Sequence, residues 1–258
     1  MDPVEQRKVD TLDVMIYGDV HAMARAAANE AAAIIATAVA DRGVAHAMFA
    51  TGNSQLAFVE QLVERTSGVP WSATVIFHMD EYIGIGPDHP ASFQRWIHQR
   101  IAERAHPQAV HFVDGLAEPD GECERYAGLL RTYPLDLCCL GIGENGHLAF
   151  NDPPVADFDD PLDVKVVELD LACRRQQVNE GHFADVGAVP DRAITVTIPA
   201  LLAARRVLAI VPEARKAEPV RATLEGPRST DCPATALRGA GNAALYLDHG
   251  SAGLLVKH

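Results

Sequence analysis

One stretch of this chain gathers an imidazole, an amide and a carboxylate around closely spaced glycines: Gly141-Ile142-Gly143-Glu144-Asn145-Gly146-His147, running on to Phe150-Asn151-Asp152-Pro153. The glycines let the backbone turn tightly and present His147, with Asn151 and Asp152 close behind it. A histidine beside a carboxylate is oriented and has its pKa raised, which suits proton transfer between oxygens near neutral pH. A second stretch, Thr51-Gly52-Asn53-Ser54, offers two hydroxyls, a glycine able to take positive φ, and the first N–H groups of a helix. That combination suits an anion. It lacks the lysine of a P-loop, and Ser54 equally suits a helix N-cap. A third, Phe77-His78-Met79-Asp80-Glu81-Tyr82, ends a strand with two acids. Successive strand residues face opposite ways, so one of the two reaches any given pocket. A carboxylate held there suits removal of a proton from carbon next to a carbonyl, or else the capping of the next turn.

These segments need elements to hold them. Apolar strand-like runs at residues 14–17, 44–50, 74–79, 110–113, 135–140, 164–169, 193–198, 207–211 and 243–247 alternate with helical patterns. The helices fall at residues 22–40, 55–66, 92–105, 123–131, 201–204 and 214–224, with Asp19 placed to cap the first and Gly43 beyond its end. Strands that are apolar throughout are covered on both faces. Their alternation with helices predicts an α/β fold, a doubly wound, mostly parallel sheet with helices on both faces, Rossmann-like. Neither a repeat nor a linker divides it, so residues 1–258 read as a single domain. In such sheets ligands bind at the carboxyl ends of strands, where all three chemical segments fall. Gly141, Gly143 and Gly146 also spell the dinucleotide-binding spacing, but that motif belongs to the first strand–helix turn, and here a proline-rich loop follows.

Lysine and arginine number 22 against 35 acidic residues, giving a net charge of −13. That balance argues against a nucleic-acid binder, which needs a basic face, while leaving room for a small phosphate in a local pocket. Five cysteines show no metal-ligand spacing and read as small buried thiols of a reducing, cytoplasmic compartment. Cys138 and Cys139 are adjacent in a strand and should face opposite ways. No stretch approaches the ~20 apolar residues of a membrane span. The alanine-rich run at 22–40 is interrupted by Arg25, Asn29 and Glu30 and reads as a core helix.

Taken in order, these segments, with His89-Pro90-Ala91-Ser92 and Arg215-Lys216-Ala217, resemble the glucosamine-6-phosphate deaminases, also called isomerases. The resemblance spans most of the chain. It implies conversion of glucosamine 6-phosphate and water to fructose 6-phosphate and ammonia, with no metal and no organic cofactor. Carried over residue by residue, it implies that Thr51, Gly52, Asn53, Ser54 and Lys216 hold the phosphate. Asp80 would move the C2 proton to C1 through an enolamine. His147, oriented by Asp152 and Asn145, would open the sugar ring. A pyranose hides its carbonyl, so two separate proton-transfer groups suit the task. A homo-oligomer is compatible with the resemblance, whose members run from monomers to hexamers.

Three positions depart from the family's commoner pattern. Asn145 stands where many members carry aspartate, and Asp152 where the usual residue is glutamate, one methylene longer. The family's phosphate-binding arginine after the long loop has His182 as its nearest equivalent, with Arg174 and Arg175 as substitutes. The basic patch used by some members for activation by N-acetylglucosamine 6-phosphate is not evident at residues 161–167. Three alternatives compete. A 6-phosphogluconolactonase shares the glycine-histidine segment, but follows it with an Ala-Ser-Leu-Phe-Pro-like run and carries Asp-Glu-Arg where this chain has Asp80-Glu81-Tyr82. A galactosamine-6-phosphate deaminase differs only in the sugar. A non-catalytic sugar-phosphate sensor would need neither Asp80 nor His147.

Overall fold

The computed structural model describes residues 2–64, 68–179, 181 and 183–256. Eleven strands are seen among them: β1 (Glu5–Val9), β2 (Leu12–Tyr17), β3 (Ala45–Phe49), β4 (Thr74–His78), β5 (Asp80–Tyr82), β6 (Ala109–His111), β7 (Leu137–Leu140), β8 (Val164–Glu168), β9 (Arg192–Val196), β10 (Arg206–Val211) and β11 (Ala243–Asp248). Eight of these form one sheet in the order β1-β2-β11-β10-β7-β3-β4-β6, parallel throughout except for the β1–β2 hairpin. The inner strands are largely apolar because both faces are covered. Met48, Phe77, Cys138, Leu140, Val207 and Leu245 enter one core, while Phe49, Ile76, Cys139, Leu208 and Tyr246 enter the other. Cys138 and Cys139 thus split between the cores, as strand alternation requires.

The second core is closed by α1 (Val20–Arg42) and α2 (Leu56–Val63). Asp19 caps α1 by accepting from Ala22 N at 2.8 Å, and Gly43 ends it at φ +79°. Ala24, Ala27, Ala28, Ala31 and Ala38 make up most of the buried stripe of α1, so the backbone can sit close to the sheet. No helix among the described residues is long and apolar enough to cross a membrane. The first core is closed by α5 (Pro119–Thr132) and α8 (Ala217–Glu225). The helical run expected at 92–105 is α3 (Phe93–Ile97) and α4 (Glu103–Ala105) joined by a π-helical turn, His98–Ala102, with Ser92 as its cap. The helix expected at 55–66 is described to Glu64, its last residues lying outside the described set.

Two features go beyond the expected sheet. β1 is a charged edge strand, EQRKV, whose polarity hid it from an apolar-run reading. The run 74–79 is also not one strand. At Met79 the chain leaves the large sheet and enters a small antiparallel one, β5-β9-β8, where Asp80 pairs with Thr195. The remaining helices are α6 (Leu171–Asn179), not expected from the sequence, and α7 (Ile198–Leu202).

The strand order reverses between β3 and β7. From β3 the chain winds outward to β4 and β6, and from β7 it winds the other way to β10 and β11. Loops leaving the carboxyl ends of β3 and β7 therefore part at that point and leave a crevice.

Candidate active site

An open cleft of about 660 Å³ occupies this crevice. It is lined by Thr51, Gly52, Asn53 and Ser54 after β3, by Met79 and Asp80 between the two sheets, and by Gly141, Gly143 and His147 after β7. Arg215 and Lys216, which follow β10, line it too, as do Phe93, Phe150, Gln176 and Gln177. Thr51, Gly52, Asn53, Ser54, Asp80, His147 and Lys216 thus meet in one place. Asn145 and Asp152 stand against the imidazole, and His182 lies outside the described residues.

Gly52 takes φ +98°, a left-handed conformation that exposes its backbone to the cleft. Ser54 is not the helix cap it could have been. Its hydroxyl accepts from Gln55 Nε2 at 3.3 Å, and that amide also reaches the Ile210 carbonyl at 3.1 Å, tying the loop to β10. Lys216 is buried at the N-cap of α8.

The acid pair after β4 divides its labour. Asp80 lines the cleft, whereas Glu81 turns away and accepts from Ser92 Oγ and from the N–H groups of Tyr82, Phe93 and Gln94. Glu81 so caps α3 and fixes Phe93 at the cleft wall. Burial raises the Asp80 pKa well above the aspartate value of 3.8, reinforced by the negative charges of Glu81 and Asp152. A base with a raised pKa accepts a proton from carbon more readily than an ordinary aspartate. His78, just before it, is fully buried and held neutral, its pKa pushed down to about 3 by desolvation. Its Nε2 accepts from Val113 N at 2.8 Å, a structural role.

His147 is fixed from behind. Its Nδ1 lies 2.7 Å from Asn145 Oδ1 and 3.0 Å from Asp152 Oδ1. The Asn145 amide is oriented independently, since Oδ1 also accepts from His147 N at 3.1 Å while Nδ2 donates to Asp152 Oδ1 at 2.7 Å. Two acceptors facing Nδ1 assign the proton there and leave Nε2 as the ring nitrogen available to a ligand. Burial alone would raise the Asp152 pKa. The positive charge of His147 and hydrogen bonds from His147, Asn145 and Cys173 outweigh it and hold the group below the usual range. Asp152 is therefore a carboxylate at neutral pH. Although one methylene shorter than the commoner glutamate, it still reaches the ring.

The imidazole lies flat on Gly143. A Cβ at that position would stand 2.2 Å from His147 Nε2 and Cε1, so only glycine admits the ring here.

Sequence reasoning missed Gln176 and Gln177. They sit on α6, whose composition, LACRRQQVN, carries little apolar periodicity. Gln177 Oε1 accepts from Tyr82 Oη at 2.6 Å, anchoring α6 across the cleft. Arg174, suggested as a phosphate ligand, is corrected by the structure. Its guanidinium donates to the Val186 and Val189 carbonyls at 2.7 and 2.9 Å, and Arg175 is exposed and away from the cleft lining.

Residues 18–166 match the family described as glucosamine-6-phosphate isomerases/6-phosphogluconolactonase. A glucosamine-6-phosphate deaminase from Exiguobacterium sibiricum is 34% identical over 207 residues, 80% of this chain and 79% of that protein. One from Lactobacillus delbrueckii subsp. bulgaricus is 31% identical over 223 residues, 86% of this chain and 92% of that protein. Among solved structures, a monomeric glucosamine-6-phosphate deaminase superposes with a TM-score of 0.84 at 29% identity, covering 93% of this chain and 99% of that one. The 6-phosphogluconolactonase of Trypanosoma brucei superposes at 0.75 with 17% identity, covering 98% of this chain and all of that one, a likeness of fold alone.

Proposed function

This chain belongs to the glucosamine-6-phosphate isomerase/6-phosphogluconolactonase family, and on that footing we propose that it is an amino-sugar-phosphate deaminase converting glucosamine 6-phosphate and water to fructose 6-phosphate and ammonia. The observation that carries this reading is the pairing of two proton-transfer groups with opposite environments in one cleft. Asp80 is a carboxylate with a raised pKa, and His147 is an imidazole held in a single tautomer by a low-pKa carboxylate. Lactone hydrolysis has no need of a base that shuttles a proton between neighbouring carbons.

The residues divide the work as follows. Thr51, Gly52, Asn53, Ser54 and Lys216 hold the phosphate. His147 takes the proton of the C1 hydroxyl at Nε2 and passes it to the ring oxygen, which opens the sugar, while Asp152 and Asn145 support the ring at Nδ1. Opening exposes C1 as an aldehyde and acidifies the C2 hydrogen. Asp80 takes that proton, forming an enolamine, and returns it to C1. The nitrogen on C2 is then an iminium, to which water adds, and ammonia leaves to give the ketose. Phe93 and Phe150 wall the reacting carbons from bulk water.

Ammonia release measured in parallel on glucosamine 6-phosphate and galactosamine 6-phosphate, beside hydrolysis of 6-phosphogluconolactone, tests this reading. Turnover of glucosamine 6-phosphate with ammonia is expected to dominate. Lactone hydrolysis without ammonia would overturn it.

A further inference from the structure

Arg215 has no part in the roles above, yet it lines the cleft beside the 51–54 loop and Lys216. Its Nε donates to Glu213 Oε2 at 2.6 Å, and its Nη1 lies 3.6 Å from Glu144 Oε1. The two carboxylates come from different loops. Glu213 precedes the turn that carries Lys216, and Glu144 lies between Gly143, on which the imidazole rests, and Asn145, which bonds it. The side chains of Arg215, Glu144 and Glu213 are 34%, 40% and 45% exposed, so their ion pairs are solvent-screened and weak. A phosphate dianion offers more. It carries higher charge, and two of its oxygens can meet the planar guanidinium together.

Backbone geometry adds a second observation. Glu213 holds φ +78°, a conformation that favours glycine, and its N–H is pinned to Asp248 Oδ1 at 2.9 Å. A non-glycine residue kept in such a conformation at a functional cleft points to a side chain that is needed there. Here that side chain engages the Nε edge of Arg215. Meanwhile the arginines beyond the long loop are engaged or exposed elsewhere, as described for Arg174 and Arg175.

We propose that Arg215 is a phosphate-binding residue of this cleft, steered by Glu213 and held at the cleft mouth by Glu144 until the phosphate of the substrate displaces that carboxylate. The inference rests on the reading of the cleft as a sugar-phosphate site. It makes Glu144 a competitor for the same cation, so the carboxylate raises the threshold for anions weaker than a phosphate dianion.

Calorimetric titration of the full chain with inorganic phosphate, together with steady-state ammonia release, tests it on Arg215→Met, Arg215→Lys and Glu144→Gln. Arg215→Met is expected to weaken inorganic-phosphate binding by roughly tenfold or more, and to raise KM for glucosamine 6-phosphate similarly. Its kcat stays within about threefold of the parent, as for loss of uniform binding. Arg215→Lys recovers part of the loss. Glu144→Gln tightens phosphate binding by roughly twofold to fivefold at low salt, a gain that shrinks at high salt. Unchanged phosphate affinity and unchanged KM in Arg215→Met would overturn the assignment. So would a fall in kcat at constant KM. Weaker phosphate binding in Glu144→Gln would overturn the competition. A parent protein that binds phosphate through Arg215 yet releases no ammonia would sink the deaminase reading and leave Arg215 standing.

Discussion

Gly143→Ala perturbs the imidazole without touching its chemistry. The added Cβ would stand 2.2 Å from His147 Nε2 and Cε1 and 2.4 Å from Cδ2. Carbon contacts settle near 3.5 Å, so the ring must retreat by about 1 Å or the glycine loop must shift as far. The Nδ1 contacts to Asn145 and Asp152, 2.7 and 3.0 Å, would lengthen only to roughly 2.9 and 3.2 Å but lose their in-plane alignment, and Nε2 would be displaced from the substrate by the full shift. A misplacement of this size costs on the order of a hundredfold in rate. Overpacking of a fitted site costs a further ~1–3 kcal/mol of stability, or several degrees of Tm in a chain of this size. Ammonia release should therefore show kcat down about a hundredfold with KM little changed, because the phosphate loop is untouched. The double variant Gly143→Ala/His147→Ala separates cause from damage. Once the ring is gone the Cβ has room, so the double variant should recover Tm and be no slower than His147→Ala alone. Full activity in Gly143→Ala would refute the placement of the imidazole, and additive rate losses in the double variant would refute the clash as the cause.

Asp80→Asn should abolish ammonia release while leaving inorganic-phosphate binding intact, as binding assays on the inactive protein would report. Because folding raises the Asp80 pKa, ionisation costs stability as pH rises through the folded value. Asp80→Asn should consequently melt higher than the parent at pH 8, with the difference closing below about pH 4. The raised pKa also moves the acid limb of kcat/KM above that of an ordinary aspartate. Asp152 carries the opposite sign. Its folded pKa is lowered, so its stabilisation is present above the unfolded value and is lost as pH falls through the folded one. Asp152→Asn should accordingly lower Tm at pH 7, lose that deficit in acid, and cut kcat by roughly a hundredfold or more through loss of the imidazole's support. Lys216→Met, at a buried site with room for a side chain of similar length, should raise KM with little change in kcat.

The parallel sheet was legible because strands buried on both faces carry apolar residues at most positions, and Cys138-Cys139 shows that pattern in two adjacent residues. The three chemical segments were legible because each couples an unusual residue to the end of such a strand. The break at Met79 was not. The run 74–79 is uniformly apolar up to His78, and pairing of Asp80 with Thr195 depends on a strand more than a hundred residues later. α6 escaped because the face it buries carries Cys173, Gln176 and Gln177, polar or small groups whose partner, Tyr82, lies across the fold. The fit of Asp152 was also undecidable from chain length of its side chain. A residue one methylene shorter still meets His147 Nδ1 directly at 3.0 Å, and Asn145 bonds both of them. Arg215 reads in sequence as a neighbour of Lys216. Its pairing with Glu144 exists only because the loops after β7 and β10, adjacent strands, leave the sheet side by side.

The central claim is that Asp80 moves a proton off C2 of an amino-sugar phosphate. Glucosamine 6-phosphate carrying deuterium at C2, turned over by the parent protein and followed by NMR with simultaneous ammonia detection, tests it most directly. Loss of the C2 deuterium in step with ammonia release, slowed by a primary isotope effect and absent in Asp80→Asn, is the predicted result. Substrate recovered with its C2 deuterium intact and no ammonia formed would contradict it.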